Sequence, residues 1–246
     1  MKADPAVQRR LLELAEVDAE LTRVQHRRRT LPELDEIGRV ERDQQAKRDA
    51  LVSAQTSQGD LDRDVRRLES EIEQVREREK RDRAVLDSGD PGSAKQQEGL
   101  HHELDSLARR QGTLEDELLE VMERREALET EVARAEEESA TVEAQLADVQ
   151  HRRDEALADL DSTEAKRRAE REQLVGELPS DLKALYERVR EQRGVGAGLL
   201  RGRRCGACQI ELDRAALSEV KEAAADDVVR CEECGAILVR TAESGL

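Results

Sequence analysis

Apolar side chains recur at alternating steps of three and four residues along most of this 246-residue chain. On this repeat, ten of the fifteen positions from Ile37 to Leu86 are apolar, and fifteen of the twenty-two from Leu100 to Leu174. The intervening residues are largely charged, since Asp, Glu, Lys and Arg make up 41% of the chain. A narrow apolar seam of this period, flanked by charge, is what a left-handed coiled coil requires. The sequence therefore predicts a mainly α-helical protein built on a coiled coil.

Composition argues against a single compact core. Tyr186 is the one aromatic residue, and Phe and Trp are absent. Aromatic side chains normally fill much of a globular core and line many cofactor pockets. The formal net charge of −16 also disfavours nucleic-acid binding along the whole chain, although a local basic patch is compatible with it.

A cluster of turn-forming residues separates the two seams at positions 87–93. Such a short break favours an antiparallel coiled-coil hairpin over residues 1–178, with arms of about 5–86 and 94–175 and a tip at 87–93. This arrangement places Gln58 opposite Arg125. Ser93 and Gln96 have the spacing of a capping box that opens the second arm. Pro32 predicts a helix break in the first arm.

Polar side chains interrupt the second seam at intervals of fourteen residues: Gln111, Arg125, Ser139, Arg153 and Arg167. One interpretation is a set of polar layers that fix the register of the two helices. The other is a notch that binds a partner. The histidines are interpreted as solvated helix residues: His26, His101, His102 and His151.

Residues 179–198 predict a short helix followed by a joint. Leu182, Leu185 and Val189 fall on one face of a helix. The glycine-rich run at 194–198 then predicts a flexible joint, which would let the following module reorient.

All four cysteines lie near the C-terminal end as two Cys-x-x-Cys pairs separated by twenty-two residues: Cys205, Cys208, Cys231 and Cys234. Two such pairs indicate one tetrahedral zinc site with four thiolate ligands. Because four thiolates fill the coordination sphere, we expect one structural Zn²⁺ per chain. A rubredoxin-type iron site is disfavoured, since this segment has no aromatic residue.

Residues 199–246 therefore predict a small zinc ribbon. Its β-segments are expected at Gln209–Leu212, Asp227–Arg230 and Ala236–Arg240, with a helical insert at 213–225 capped by Asp213. Gly235 suits the turn behind the second cysteine pair, and Gln209, in the matching place, suits it less. We expect the ribbon to share little core with the helices and to depend on metal for its folding.

A local reversal of charge adjoins the first cysteine pair. Six arginines accompany one acid between residues 188 and 204: Arg188, Arg190, Arg193, Arg201, Arg203 and Arg204. Clustered arginines suit contact with phosphate groups. The alternative is that they solvate a linker and offset the anionic zinc–thiolate centre.

Three segments carry a resemblance to a known family: the run Leu100-His101-His102-Glu103-Leu104, the run 118–123, and the ribbon from Cys205 to Arg240. The chain resembles bacterial coiled-coil hairpin proteins that end in a four-cysteine zinc ribbon. Members of this family are described as regulators that bind an alternative sigma factor and a flagellar messenger RNA. The resemblance implies a partner-binding adaptor, with Leu100–Leu104 as a protein contact.

Two functions follow as hypotheses. The first is a non-enzymatic adaptor whose hairpin binds proteins, with a sigma factor or RNA polymerase as candidates, and whose ribbon and basic segment contact RNA or DNA. The second is a structural coiled-coil spacer that binds only protein. An enzyme is disfavoured because the sequence lacks a phosphate-binding glycine loop, a nucleophile elbow and an open metal site, so no small-molecule substrate is expected. The chain shows no export signal or apolar run long enough to span a membrane, which predicts a cytoplasmic location.

Overall fold

The computed structural model describes residues 1–88 and 93–245. In chain order the elements are helices α1 (Pro5–Arg29), α2 (Pro32–Asp87), α3 (Ala94–Gly176) and α4 (Ser180–Arg193), strands β1 (Ala197–Arg201) and β2 (Arg204–Cys205), helix α5 (Arg214–Glu222), strands β3 (Val229–Arg230) and β4 (Ile237–Val239), and a 3₁₀ turn (Ala242–Ser244). Of these helices, none is long and apolar enough to cross a membrane.

The chain divides into two compact units. The terminal unit consists of Met1–Leu34 and His151–Leu246, and the central unit of Asp35–Gln150. The terminal unit therefore contains α1, the end of α3, and everything that follows it. The central unit contains most of α2 and the first part of α3.

Two non-helical residues, Thr30 and Leu31, separate α1 from α2. The Asp4 carboxylate caps α1 by accepting a hydrogen bond from the backbone of the first turn, at 2.7 Å. Pro32 is the first residue of α2, a position where its missing N–H costs no helical hydrogen bond. The same ring cannot continue α1, which explains the break directly before it.

In the central unit, α2 and α3 pack as antiparallel neighbours. Leu68 and Ile72 of α2 bury against Leu114 of α3. Ion pairs flank this seam at Lys47–Glu138 (2.8 Å), Arg48–Glu143 (2.6 Å), Arg76–Glu115 (2.7 Å) and Arg78–Glu103 (2.8 Å). The early α2 residues Lys47 and Arg48 pair with late residues of α3, and the late α2 residues Arg76 and Arg78 pair with early ones, which confirms the predicted helical hairpin.

Arg125 and Arg167, both polar seam residues, make contacts between helices. Arg125 Nε lies 2.7 Å from Asp62 Oδ1, one helical turn from Gln58, its expected neighbour. In the terminal unit, Arg167 forms an ion pair with Glu20 of α1. These contacts favour polar layers that fix the register over a notch for a partner.

The expected tip lies partly outside the described residues, because positions 89–92 are not among them. The flanking residues are described: α2 ends at Asp87 and α3 begins at Ala94. The backbone N–H of Ser93 donates to Gln96 Oε1 at 2.7 Å, which is the glutamine half of the expected capping box.

A four-stranded sheet completes the terminal unit, in the order β2-β1-β4-β3. β1 and β4 are parallel, and the outer pairs are antiparallel. Alternate residues of β4 face opposite sides. Ile237 and Val239 pack with Leu11 of α1 and Tyr186 of α4, whereas Leu238 faces the cysteines and α5. The expectation of little shared core is therefore wrong: one sheet face is buried against the helices.

The glycine-rich run is not a joint but the entry to β1. Ala197 is buried and pairs with Ile237. A Cβ on Gly196 would lie 2.5 Å from Tyr186 Cε2, and one on Gly198 would lie 2.4 Å from the backbone nitrogen of Ala207. These glycines allow close packing, so the expectation that they let the ribbon reorient is also wrong.

The strands differ from the expected segments. Gln209–Leu212 forms no strand, and its one ladder contact is an isolated bridge between Glu211 and Arg204. β3 and β4 are shorter than the predicted segments. Residues 209–212 instead follow the turn of the first cysteine pair, which takes them out of the sheet.

The first residues of the chain extend the sheet beyond β3. Lys2 forms an isolated antiparallel bridge with Asp227. The Ala3 N–H donates to the Asp226 carbonyl at 2.8 Å, and the Val228 N–H donates to the Met1 carbonyl at 3.0 Å. This segment covers an edge that would otherwise leave backbone groups unpaired.

Candidate metal centre

The four cysteine sulfurs converge on one point beside the sheet. All four Sγ atoms lie within 4.8 Å of one another. The distances Cys205–Cys234 and Cys208–Cys231 are both 3.9 Å. A tetrahedral zinc with Zn–S bonds of about 2.3 Å requires sulfurs about 3.8 Å apart. The donor set and its spacing therefore fit Zn²⁺.

The two cysteine pairs are held by equivalent turns. The Gln209 N–H donates to the Cys205 carbonyl and the Gly235 N–H to the Cys231 carbonyl, each at 2.8 Å. Gln209 and Gly235 both have positive φ, at 64° and 72°. The left-handed residue reverses the chain behind each pair, so that both sulfurs of the pair point the same way.

The environment of the sulfurs suits a bound cation. Burial raises the pKa of the Cys205 thiol to about 12, against the opposing effect of backbone N–H groups at Cys208 and Ala207. Burial also acts to raise the pKa of Cys208, but the Ile210 N–H and the neighbouring cysteines lower it overall. A divalent cation would compensate the burial of thiolate charge. Four thiolates would complete its coordination, as in a structural zinc site.

The helical insert is anchored at both ends. Asp213 caps α5 as expected, with its carboxylate accepting from the Ala216 N–H at 2.8 Å. At the other end the Arg240 guanidinium donates to four backbone carbonyls at 2.6–3.1 Å: those of Val220, Ala223, Ala224 and Asp227. The role of Arg240 was not predicted from the sequence. An arginine at the end of a strand gives no indication that it will contact the carbonyls of a helix that lies earlier in the chain.

The six arginines that were predicted to contact nucleic acid or a partner fall into two groups. Five of the six are exposed: Arg188, Arg193, Arg201, Arg203 and Arg204. Arg201 and Arg204 are cross-strand neighbours in the β1–β2 hairpin, and Arg203 lies in its turn. We call these last three residues the arginine hairpin. Arg204 also forms an ion pair with Glu211 at 3.3 Å.

Arg190 lies apart from the arginine hairpin and contacts acidic side chains of the terminal unit. Its guanidinium lies 3.4 Å from Asp18 and 3.2 Å from Glu187. Asp18 is buried, and it also accepts hydrogen bonds from Tyr186 Oη and Arg171 Nε, each at 2.7 Å. Burial, followed by the hydrogen bond to Asp18, raises the pKa of Tyr186 well above its usual value. Arg190 thus neutralises a buried carboxylate inside the terminal unit.

The predicted tip contact lies in the first turns of α3. His101 and His102 are exposed, whereas Leu100 and Leu104 are half-buried. Glu103 forms an ion pair with Arg78 at 2.8 Å. The exposed part of this candidate surface is therefore the histidine pair.

Two protein-family models together match most of the chain. Residues 14–194 match the CT398-like coiled coil hairpin domain. Residues 204–238 match the C4-type zinc ribbon domain, and this range contains all four cysteines. The structure and the family models agree on a helical hairpin with a zinc-binding module.

The chain is also similar to individual proteins across almost its whole length. An uncharacterised protein of Mycobacterium tuberculosis is 48% identical over 240 residues, which cover 98% of both chains. A solved structure from Mycobacterium smegmatis has a TM-score of 0.88 and 44% identity, and covers 98% of this chain and 100% of its own. The structure of CT398 from Chlamydia trachomatis has a TM-score of 0.68 and 17% identity, covers 96% of this chain and 98% of its own, and shows the shared fold. The chain belongs to the family of CT398-like coiled-coil hairpin proteins, here with a C4-type zinc ribbon at the C-terminal end.

Proposed function

We propose that this protein is a non-enzymatic adaptor: its helical hairpin binds a protein partner, and the basic segment beside the zinc ribbon contacts nucleic acid or the transcription machinery. A sigma factor or RNA polymerase is a candidate for the protein partner, and RNA or DNA for the basic segment. The observation that carries the proposal is the arginine hairpin. It concentrates three exposed cations at one end of the sheet in a chain with a net charge of −16.

The backbone holds these cations in fixed places. Gly202, with a φ of +59°, opens the two-residue turn, and its N–H donates to the Ser244 carbonyl at 2.8 Å. The Arg203 carbonyl accepts from the Leu212 N–H at 2.7 Å. Like charges directly across a strand pair destabilise a sheet. Arg201 and Arg204 face each other in this way, and an anionic partner would relieve the repulsion between them.

The chemistry of the segment suits phosphate groups. Guanidinium groups bind phosphate oxygens through paired N–H donors. The ribbon offers no aromatic residue on which a base could stack, so we expect binding through the backbone of the nucleic acid, with little sequence preference.

The second candidate function is a scaffold that binds only protein. It is favoured by the net negative charge of the chain, and by the long coiled coil, whose charged surfaces suit contacts with proteins. In this case the arginine hairpin would serve to offset the anionic zinc–thiolate centre.

The variant R201A/R203A/R204A separates the two functions. Binding of a labelled RNA and a labelled duplex DNA is measured over a salt series with zinc-loaded protein. The adaptor function predicts binding that weakens steeply with salt, and a salt slope reduced by about two to three in the variant. The variant R66A/R109A/R124A, which removes three exposed arginines of the helical hairpin, serves as the control and should bind like the wild type. If wild type and triple variant bind equally weakly, the nucleic-acid part is wrong and the scaffold function is retained.

A further inference from the structure

Two large apolar side chains stand side by side on the outer surface of α3. Leu119 is 59% exposed and Met122 is 40% exposed. Residues three apart in a helix lie on the same face. Their neighbours Leu118 and Val121 are half-buried against the core of the central unit, so the apolar surface continues from the seam outwards. We call Leu119 and Met122 the α3 stripe.

The α3 stripe differs from other exposed apolar positions of the central unit. In its described residues, 35–88 and 93–150, the other large apolar side chains exposed to this degree are Val52 and Val85. Neither has a second such side chain within one helical turn. Isolated exposed apolar residues are ordinary, whereas a pair that extends a buried seam offers a continuous apolar contact about one helical turn long.

Acidic residues predominate along α3 on both sides of the stripe. Residues 115–126 contain six carboxylates and two arginines. Arg125 is paired with Asp62 across the hairpin, and Arg124 lies 3.8 Å from Glu120. Asp116, Glu123 and Glu126 are exposed. Like charges three or four residues apart destabilise an isolated helix, so this acidic rim is a cost that a basic partner would relieve.

We propose that the α3 stripe is a docking site for a basic amphipathic helix of a partner protein. The proposal rests on the protein-binding role given above and names the chemistry of the partner. Apolar residues on one face of the incoming helix pack on Leu119 and Met122, as in helix-in-groove recognition. Lysines or arginines at the edges of that face reach Asp116, Glu123 and Glu126. A second copy of this chain does not fit the site, because it would bring two acidic rims together.

The test uses the full-length, zinc-loaded protein and three synthetic helical peptides of about 18 residues. The first has leucines on one face and lysines beside them. The second keeps the leucines and replaces the lysines by glutamates. The third has the composition of the first with the leucines scattered around the helix. Fluorescence anisotropy should show binding of the first peptide, and binding of the other two weaker by about tenfold or more.

Paired variants then locate the site. L119S/M122S should weaken binding of the basic peptide by about tenfold, and V52S/V85S should leave it within about twofold of wild type. E123Q/E126Q should weaken binding several-fold and reduce its salt dependence. Equal binding to wild type and L119S/M122S would overturn the proposal. So would equal binding of the acidic peptide, or self-association in sedimentation that L119S/M122S abolishes.

A parallel pull-down distinguishes this proposal from the proposed function. If wild type and L119S/M122S retain the same cellular proteins through the helical hairpin, the adaptor function stands and the α3 stripe is not the docking site. If the hairpin retains no protein from either sample, the protein-binding function itself is contradicted.

Discussion

Gln209 and Gly235 occupy equivalent left-handed positions behind the two cysteine pairs, with φ angles of 64° and 72°. Within residues 1–88 and 93–245, Gln209 is the one non-glycine residue with positive φ. A side chain in this region of φ is strained by about 1 kcal/mol or more. The first cysteine turn therefore folds at a cost that the second avoids.

Replacing Gln209 by glycine should raise the free energy of unfolding by about 0.5–1 kcal/mol, because glycine relieves the strain of a side chain at positive φ, and this gain exceeds the loss of one exposed side-chain hydrogen bond to the Gly206 carbonyl. Chemical denaturation of the zinc-loaded protein measures the change. Gly235→Ala is the matched control and should lower stability, since it adds strain to the second turn and brings a Cβ to 3.1 Å from Arg230. A destabilised Gln209→Gly protein would contradict the prediction.

Arg240→Ala should lower the free energy of unfolding by about 2–3 kcal/mol, because it leaves the carbonyls at the end of α5 without their shared donor. Arg240→Lys should recover only part of the loss, because the single ammonium group of lysine cannot reach all of the carbonyls that the planar guanidinium contacts. The control is Arg230→Ala, which removes an exposed contact to the Gly235 carbonyl and should cost less than about 1 kcal/mol. Comparable losses for Arg230→Ala and Arg240→Ala would rule out the capping role.

Metal analysis of freshly purified, reduced protein should find one zinc per chain. Cys231→Ser should abolish tight zinc binding, because it removes a ligand from the tetrad. Since the sheet shares a buried face with α1 and α4, hydrogen exchange should accelerate in those helices as well as in the ribbon. Amides of the central unit supply the internal reference and should change less. Iron in place of zinc, or acceleration confined to residues 199–245, would contradict this prediction.

Tyr186 should make stability depend on pH at alkaline values. Its pKa is raised in the folded protein by burial and by the hydrogen bond to Asp18, so the folded state holds the phenolic proton more tightly than the unfolded state. The resulting stabilisation is present in full below the unfolded pKa of about 10 and is lost as pH rises beyond it. Denaturation of wild type and Tyr186→Phe at several values between about pH 8 and pH 11 measures the effect. The variant should be less stable than the wild type by about 1–2 kcal/mol at pH 8. This difference in the free energy of unfolding should shrink as the pH rises. A difference that stays constant with pH would contradict the prediction.

Gly196→Ala tests whether the glycine-rich run is a packed strand entry. The added Cβ would lie 2.5 Å from the ring of Tyr186, which is buried, so we expect a loss of about 1–3 kcal/mol. Gly59→Ala is the control, because the helical Gly59 has open space at this position and alanine should stabilise α2 by up to about 1 kcal/mol. If Gly196→Ala left the free energy of unfolding unchanged, the result would support the flexible-joint interpretation instead.

The sequence predicted those features that short-range pattern determines. The coiled coil followed from the spacing of apolar residues, and the zinc site from the spacing of four cysteines. The Asp213 cap of α5 followed from its place at the start of a helical insert. In each case the residues that form the feature lie at short, characteristic spacings in the sequence, so the pattern can be recognised without knowledge of the fold.

Features that depend on distant partners were not predicted. Arg190 looked like part of a basic segment because nothing near it in sequence reveals that Asp18 is buried beside it. Gly196 and Gly198 looked flexible because close approach by Tyr186 and Ala207 is a property of the assembled unit. β1 was missed for the same reason.

The pairing of Met1–Ala3 with residues 226–228 gives the protein a definite order of assembly on the ribosome. Residues 226–228 are made long after Met1–Ala3, so α1 emerges long before the surface that buries Leu11. At about 5–20 residues per second, the first 34 residues wait roughly 10–40 s for the rest of their unit. The central unit, Asp35–Gln150, is by then complete in the nascent chain. The terminal unit can therefore close only after the central unit has been synthesised, because Met1–Ala3 pair with residues that are made after it.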